Sequence, residues 1–156
     1  KQRGATMAKD STGSETSFKT LDWNDVQEGD ELGSLSFPIT MRTLMIDVSG
    51  TRDLYPIHHD REFAKKNGAR DIFVNTMFYE GLFGRIATDW AGPEAFLRKL
   101  RFAMKGPNCL GDTSTSRGWV ARKYQQDGQD LLDLEIHLDN EVEKDATIAN
   151  LTIELP

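Results

Sequence analysis

Asp53 and His58 are two residues whose types suit acid/base chemistry, and only Leu54-Tyr55-Pro56-Ile57 separates them. On a regular helix, side chains five residues apart point about 140° away from each other. Pro56 also disfavours a regular helix in this segment. A bent loop can bring a carboxylate and an imidazole into one small volume, as general acid/base catalysis requires. The segment therefore predicts an acid/base pair on a loop.

Other reactive residue types give weaker signals. A carboxylate and a histidine at this spacing also occur in structural loops, and His59 fits a supporting or capping role. A metal site at His58 and His59 would need further ligands that the sequence does not supply. Cys109, the one cysteine of the chain, lies in a turn without an activating base. His137 is predicted on the polar face of a strand, either solvated or at a subunit contact.

A long helix is predicted after the candidate loop. Asn75 is a suitable N-cap for a helix from Thr76 to about Trp90. Its apolar residues recur every four positions and predict the buried face: Phe78, Leu82, Ile86 and Trp90. Gly81 and Gly84 are expected to let another segment pack tightly against the helix.

The rest of the chain has the pattern of a sheet. Four segments, at about residues 99–104, 113–124, 132–138 and 148–155, alternate or cluster apolar residues as strands do. The turn signals between them predict sequential antiparallel neighbours. Upstream, Asp60 is expected to cap a short helix, and residues 41–48 fit either a helix or a strand. These elements predict an α+β layer structure, the hot-dog arrangement, in which an antiparallel sheet wraps around one long central helix.

Length and charge limit the classes of protein that this chain can be. The 156 residues suit a flexible tail over residues 1–17 and a single domain over residues 18–156. A net charge of −6 argues against a partner with a phosphate backbone. No apolar run approaches the roughly 20 residues that span a bilayer, and the first residues lack the apolar core of a signal peptide. We expect a cytoplasmic protein with no nucleic-acid, membrane or metal partner.

The candidate loop resembles the hydratase motif of MaoC-like proteins and (R)-specific enoyl-CoA hydratases, in which Gly-Asp-x-Asn-Pro-(Leu/Ile)-His precedes a short helix. Asp53 and the run Pro56-Ile57-His58 match this motif in order and spacing. Two positions depart from it, because Arg52 stands where Gly is usual and Tyr55 where Asn is usual. The resemblance implies a hot-dog fold and the hydration of a trans-2-enoyl-CoA, or the reverse dehydration.

The resemblance extends from about Trp23 to the carboxyl terminus, and it is closer to one subgroup. The small hydratase subunits of bacterial steroid side-chain degradation have runs similar to Thr51-Arg52-Asp53, His58-His59-Asp60-Arg61, Asp71-Ile72-Phe73-Val74-Asn75 and Thr88-Asp89-Trp90-Ala91-Gly92-Pro93. This resemblance implies a bulky acyl group such as a steroid side chain, and a role in lipid metabolism.

The resemblance also implies roles for individual residues. His58 would remove a proton from the attacking water, and Asp53 would orient that water and supply the proton to Cα. The charge on the thioester oxygen needs a donor, and N–H groups at a helix amino terminus are suited to that. The family places a Gly there, whereas this chain has Asn75-Thr76, so the Thr76 amide is the expected donor.

Substrate binding and assembly are further expectations from the resemblance. Tyr55 and Asn75 are expected to contact the substrate. Lys99 and Arg101, with Lys105 on the same face and Arg98 nearby, form either a solvated face or a site for the phosphates of coenzyme A. Coenzyme A is then part of the acyl-CoA thioester substrate, and no separate cofactor is expected. The family implies a homodimer or a heteromer with a related hot-dog chain.

Two alternatives to a hydratase remain open from the sequence. The chain could be a non-catalytic hot-dog subunit that shapes the pocket of a catalytic partner, although the intact Asp53 and His58 argue against this. It could also be an acyl-CoA thioesterase, since that class uses the same fold, but thioesterases lack this Asp-x4-His loop.

Overall fold

The computed structural model describes residues 19–156, so the tail predicted for residues 1–17 lies outside the described part. The helices and strands are, in chain order, β1 (Ser36–Pro38), α1 (Met41–Thr51), α2 (Arg61–Lys66), α3 (Thr76–Ala91), β2 (Phe96–Met104), β3 (Thr113–Gln126), β4 (Gln129–Asp139) and β5 (Thr147–Leu155). Short 3₁₀ turns cover Trp23–Asp25 and Pro56–His58. This layout confirms the predicted α+β class, and the segment that fitted either helix or strand is α1.

The long helix α3 begins where its capping residue predicts. Asn75 accepts the N–H of Phe78 on its side-chain oxygen at 3.0 Å, which satisfies one of the donors that the first turn leaves free. The side chains of Tyr79 and Phe83 are fully buried, and both rings pack on Phe102 of β2 at centroid distances of 6.0 and 5.8 Å. The helix therefore lies against the sheet, as the hot-dog arrangement requires.

The predicted buried face of α3 is confirmed at Leu82 and Ile86, which are buried. Phe78 and Trp90, at the two ends of this row, are half-buried and pack against the core. The expectation of tight packing over the glycines is wrong. Within residues 19–156 nothing lies within 4 Å of a Cβ built on Gly81, and the nearest atom to one on Gly84 is Cδ2 of Leu97 at 3.9 Å.

The five strands form one antiparallel sheet in the order β1-β3-β4-β5-β2. The expectation of sequential neighbours holds for β3, β4 and β5 but is wrong for β2, which pairs with β5 rather than β3. The N–H groups of Lys105 and Gly106 bond the carbonyl of Ala146 at 2.8 and 3.1 Å, whereas the N–H of Gly111 bonds the carbonyl of Ile39 at 2.8 Å. The connection between β2 and β3 thus runs from one edge of the sheet to the other instead of forming a hairpin.

His137 on β4 is not solvated, which corrects one of the two alternatives predicted for it. Only 9% of the residue is exposed. Its ring nitrogens lie 2.8 Å from carboxylate oxygens of Glu135 and Asp145, and its ring stacks on Trp119 at 5.1 Å. The hydrogen bond from His137 is the largest cause of the lowered pKa of Asp145. The subunit-contact alternative stays a prediction.

Among residues 19–156, no helix is long and apolar enough to cross a membrane.

Candidate active site

The loop that holds Asp53 and His58 is bent at both ends. Helix α1 ends at Thr51. The next residue, Arg52, adopts the left-handed conformation with φ 59°, and a 3₁₀ turn then begins at Pro56. This bend brings Oδ2 of Asp53 to 3.4 Å from Nε2 of His58. The position where the motif usually has Gly therefore takes the backbone conformation that Gly adopts most easily.

The His58 ring is oriented by a main-chain contact. Its Nδ1 lies 2.7 Å from the carbonyl oxygen of Phe73. Because a carbonyl can only accept, Nδ1 is the protonated nitrogen, and in the neutral ring Nε2 is an acceptor that faces Asp53. His58 is 7% exposed and the Asp53 side chain is 27% exposed. Solvent therefore reaches the pair mainly through Asp53. The imidazole and the carboxyl group are placed to act together as a base and an acid.

Tyr55 and Phe73 flank the imidazole of His58. The ring of Phe73 meets that of His58 edge to face at 5.1 Å, and Tyr55 does so at 6.5 Å. Tyr55 also packs on Phe63 of α2 at 5.5 Å, and its N–H donates to Asp53 Oδ1 at 3.3 Å. Half of Tyr55 stays exposed. It lies beside the pair, where the substrate contact predicted for it is sterically possible and stays a prediction.

The amino terminus of α3 carries the predicted oxyanion donor. In the described part of the chain, the N–H of Thr76 has no acceptor, as expected for the first residue of a helix. The Asn75 side chain is engaged on both of its polar atoms, because its oxygen caps Phe78 and its nitrogen donates to Thr51 Oγ1 at 2.7 Å. These contacts give Asn75 a capping role, and a substrate contact by its side chain stays a prediction.

Asp47 is a buried acid near the pair that the sequence analysis missed. It lies on α1, is 6% exposed, and accepts the N–H of Asn75 on Oδ2 at 3.0 Å. Its other oxygen, Oδ1, is buried without a partner among residues 19–156. Burial raises the pKa of Asp47, whereas the hydrogen bond from Asn75 and the charge of His58 act to lower it. The sequence signal that could have indicated Asp47 is its place as the one acid in the mainly apolar run of residues 41–48.

A small apolar cavity opens beside the imidazole. It measures about 190 Å³, and its lining includes Met41, Met45 and Val48 of α1 together with His58. Met45 is 64% exposed, and Leu54, which follows Asp53 in the chain, is 71% exposed. The surface around the pair is thus rich in flexible apolar side chains, which suits an apolar ligand.

The predicted cationic residues lie on the edge strand β2. Lys99 and Arg101 are exposed and share the face opposite Phe102, whose ring packs on α3. Within the described residues, the structure shows no contact between either cation and the acid/base pair. Arg98 is engaged in an ion pair with Glu154. The predicted binding of coenzyme A phosphates by Lys99 and Arg101 stays a prediction.

Neither a metal site nor a reactive thiol is found in the described part of the chain. Residues 19–156 contain no group of three or more His, Cys, Asp or Glu that could hold a metal ion. Cys109 is fully buried, and burial raises the pKa of its thiol, so it is a poor nucleophile.

Comparison with known proteins identifies the family. No protein-family model matches the chain. A curated relative from Mycobacterium tuberculosis (strain ATCC 25618 / H37Rv), the 3-oxo-4,17-pregnadiene-20-carboxyl-CoA hydratase beta subunit, is 43% identical over 70 residues, which are 45% of this chain and 54% of the relative. The match thus spans about half the length of that relative.

Two solved structures superpose over most of the chain. A chain of the ChsH1-ChsH2 complex from Mycobacterium tuberculosis is 30% identical, with a TM-score of 0.76 over 83% of this chain and 98% of that chain. A MaoC-like dehydratase from Rhodospirillum rubrum is 13% identical, with a TM-score of 0.73 over 86% of this chain and 96% of that chain, and it shows the shared fold. The chain belongs to the MaoC-like hydratase and dehydratase family and has its hot-dog fold.

Proposed function

We propose that the chain is an enoyl-CoA hydratase that adds water to a trans-2-enoyl-CoA, or catalyses the reverse dehydration, with Asp53 and His58 as its acid/base pair. The observation that supports this proposal is the geometry of the pair. Nε2 of His58 faces a carboxyl oxygen of Asp53 at 3.4 Å, beside an apolar cavity. Homology to hydratases agrees with this chemistry.

The proposed reaction needs two proton transfers. Nε2 of His58 takes a proton from water while the water oxygen forms a bond to Cβ, and the carboxyl group of Asp53 in its protonated form gives a proton to Cα. The negative charge that develops on the thioester oxygen is stabilised by the N–H of Thr76 at the start of α3. The proton on His58 then returns to Asp53 across the 3.4 Å gap. One water is consumed, and one carbon–carbon double bond is lost.

We further propose a bulky acyl group as the substrate and a related hot-dog chain as the partner. The similar curated relative is described as the beta subunit of a hydratase of a pregnadiene carboxyl-CoA, and the 30% identical chain is part of a two-component complex. The cavity of about 190 Å³ beside His58 is smaller than the roughly 300 to 1,000 Å³ of typical ligand pockets. A second chain would supply the rest of the pocket. A homodimer and a cytoplasmic location stay predictions.

Isosteric variants of the pair test this proposal. We expect His58→Gln and Asp53→Asn each to lower kcat/KM for enoyl-CoA hydration by about 10²- to 10⁴-fold while the thermal melt is unchanged, because each change removes one proton-transfer group. Glu62→Gln is the matched control, since Glu62 is an exposed carboxylate on α2 and should leave kcat/KM unchanged.

The assay uses short-chain, long-chain and steroid enoyl-CoA thioesters, with the chain alone and with its related hot-dog chain. Full turnover by both variants in the active form would overturn the proposal. Release of free thiol without loss of the double bond would instead identify a thioesterase. Activity of the complex that survives His58→Gln would identify a non-catalytic subunit.

A further inference from the structure

A closed set of hydrogen bonds links Asp47 to the two parts of the site. One part is the amino terminus of α3, and the other is the loop that holds the Asp53/His58 pair. Asp47 accepts the N–H of Asn75 at 3.0 Å, and the Asn75 side-chain nitrogen donates to Thr51 Oγ1 at 2.7 Å. The Thr51 hydroxyl donates to the carbonyl oxygen of Asp47 at 2.6 Å. The same oxygen of Thr51 accepts the N–H of Asp53 at 3.5 Å.

We propose that Asp47 is a positioning residue that fixes the amino terminus of α3 relative to the Asp53/His58 pair. This inference rests on the proposed function, because it assigns the Thr76 N–H as the oxyanion donor. The bonds of this set join α1, the residue before Thr76 and the backbone of Asp53. A shift of the amino terminus of α3, or of the loop that holds Asp53, would therefore break at least one bond of the set.

The Asp47 side chain is the part of this set that the backbone cannot replace. Asn75 is 2% exposed, so its N–H would be a buried donor without an acceptor if the Asp47 carboxyl were absent. The N–H of Asn75 would then have to move toward solvent, and the adjacent Thr76 N–H would move with it. A displacement of about 1 Å at a catalytic group can lower a rate about 100-fold.

The shape of the Asp47 side chain, rather than its charge, decides which substitution preserves the contact with the Asn75 N–H. Its Oδ1 lies buried without a partner in the described part of the chain, and burial raises its pKa. The charged groups that face it are His58 and Asp53, one favouring and one opposing its ionised form. The amide of asparagine has nearly the same shape as the carboxyl group and keeps an oxygen acceptor for the Asn75 N–H, so Asp47→Asn preserves the contact without the charge.

The test compares Asp47→Ala with Asp47→Asn in the full chain, together with its related hot-dog chain if turnover needs one. We expect Asp47→Ala to lower kcat on the order of 10- to 100-fold and to change KM by less than about threefold, because positioning acts on the transition state. Asp47→Asn should stay within about threefold of the parent chain in kcat. Hydrogen exchange of the Asn75 N–H, followed by NMR, should be faster by at least about tenfold in Asp47→Ala only.

The control is Asp89→Ala, which removes an exposed carboxylate from α3, the helix that Asn75 caps; Asp89 pairs there with Arg85 at 3.0 Å. It should leave kcat and the exchange of the Asn75 N–H unchanged. Unchanged kcat and exchange in Asp47→Ala would overturn the proposal, and so would a rise of KM alone. If Asp47→Ala does not fold, Asp47→Leu removes the same acceptor while filling the space of the carboxyl group, and unchanged kcat and exchange of the Asn75 N–H in that variant would overturn the proposal.

The two readouts separate this proposal from the proposed function. If the parent chain hydrates no enoyl-CoA, the proposed function fails, whereas the exchange of the Asn75 N–H still reports whether Asp47 holds the start of α3. Faster exchange in Asp47→Ala would then support the role of Asp47 in holding the start of α3, while its role in catalysis would be rejected.

Discussion

The contact between His58 and the carbonyl of Phe73 decides which ring nitrogen is available for chemistry. The contact is made at 2.7 Å by a main-chain atom, so no side-chain change at residue 73 removes the acceptor itself. A neutral ring held in this way presents Nε2 to Asp53. The base is thus oriented before any substrate binds, which reduces the reorganisation that proton transfer requires.

Arg52 is a residue held in a conformation that favours glycine, since its φ is 59°. We expect Arg52→Gly to raise the free energy of unfolding by about 0.5 to 1 kcal/mol, because relief of the left-handed strain exceeds the added entropy of the unfolded chain. Urea denaturation measures the change. Arg52→Ala is the matched control and should give no such gain, since alanine keeps a Cβ. A loss of stability in Arg52→Gly would show that the arginine side chain makes a stabilising contact.

The sequence predicted the Asp53/His58 pair but not Asp47, and the reason is the range of the contacts. Residue types, Pro56 and the family motif are local signals, and they suffice for a bent loop. The bond between Asp47 and the N–H of Asn75 joins residues 28 positions apart, and no local pattern encodes it. An isolated acid in an apolar helix is by itself compatible with a solvated position.

At the scale of elements, capping residues located the helices well, whereas strand pairing was partly wrong. Asp60 and Asn75 accept the N–H groups of Phe63 and Phe78, three residues further on, as expected for N-caps. The partner of β2 could not be predicted from turn signals. Its pairing with β5 depends on where the connection after Met104 leads, and that path is set by long-range bonds such as the one between Gly111 and Ile39.

Tyr79 ties α3 to the segment that runs from β2 to β3. Its fully buried hydroxyl accepts the backbone N–H of Asn108 at 3.2 Å and the side-chain nitrogen of Asn108 at 3.0 Å. We expect Tyr79→Phe to lower the free energy of unfolding by about 2 to 3 kcal/mol, because two buried donors lose their acceptor. Denaturation in urea measures this loss.

Tyr124→Phe is the control for the change at Tyr79. Tyr124 is half-buried and its hydroxyl donates to Asp133 at 3.2 Å, where solvent can replace the contact. Its loss should lower the free energy of unfolding by about 1 kcal/mol or less. Equal losses in the two variants would mean that solvent reaches Asn108 as readily as Asp133.

At the scale of the whole molecule, the first described residues are held against the far end of the central helix. The N–H of Leu21 donates to the carbonyl of Ala91 at 2.9 Å, and the Thr20 hydroxyl accepts the N–H of Glu94 at 3.0 Å. Trp23, shortly after, donates its ring N–H to the carbonyl of Leu131 on β4 at 3.4 Å. The early segment thus joins the carboxyl end of α3 to the sheet.

Gly92 makes this close approach possible, and its replacement should release the early segment. Its φ is 99°, and a Cβ at this position would lie 2.4 Å from Cα of Thr20. We expect Gly92→Ala to lower the free energy of unfolding by about 2 to 4 kcal/mol, because backbone strain and a backbone clash act together. Urea denaturation measures the loss, and hydrogen exchange of the Leu21 N–H should become faster.

Gly84→Ala separates this clash from a general effect of adding a methyl group to α3. The nearest atom to a Cβ at Gly84 is Cδ2 of Leu97 at 3.9 Å, and alanine favours a helix interior over glycine by about 1 kcal/mol. We therefore expect Gly84→Ala to stabilise the chain and to leave the exchange of the Leu21 N–H unchanged. If Gly92→Ala matched Gly84→Ala in both measurements, residues 19–21 would not be packed against Gly92 in solution, and the carboxyl end of α3 would be open to solvent.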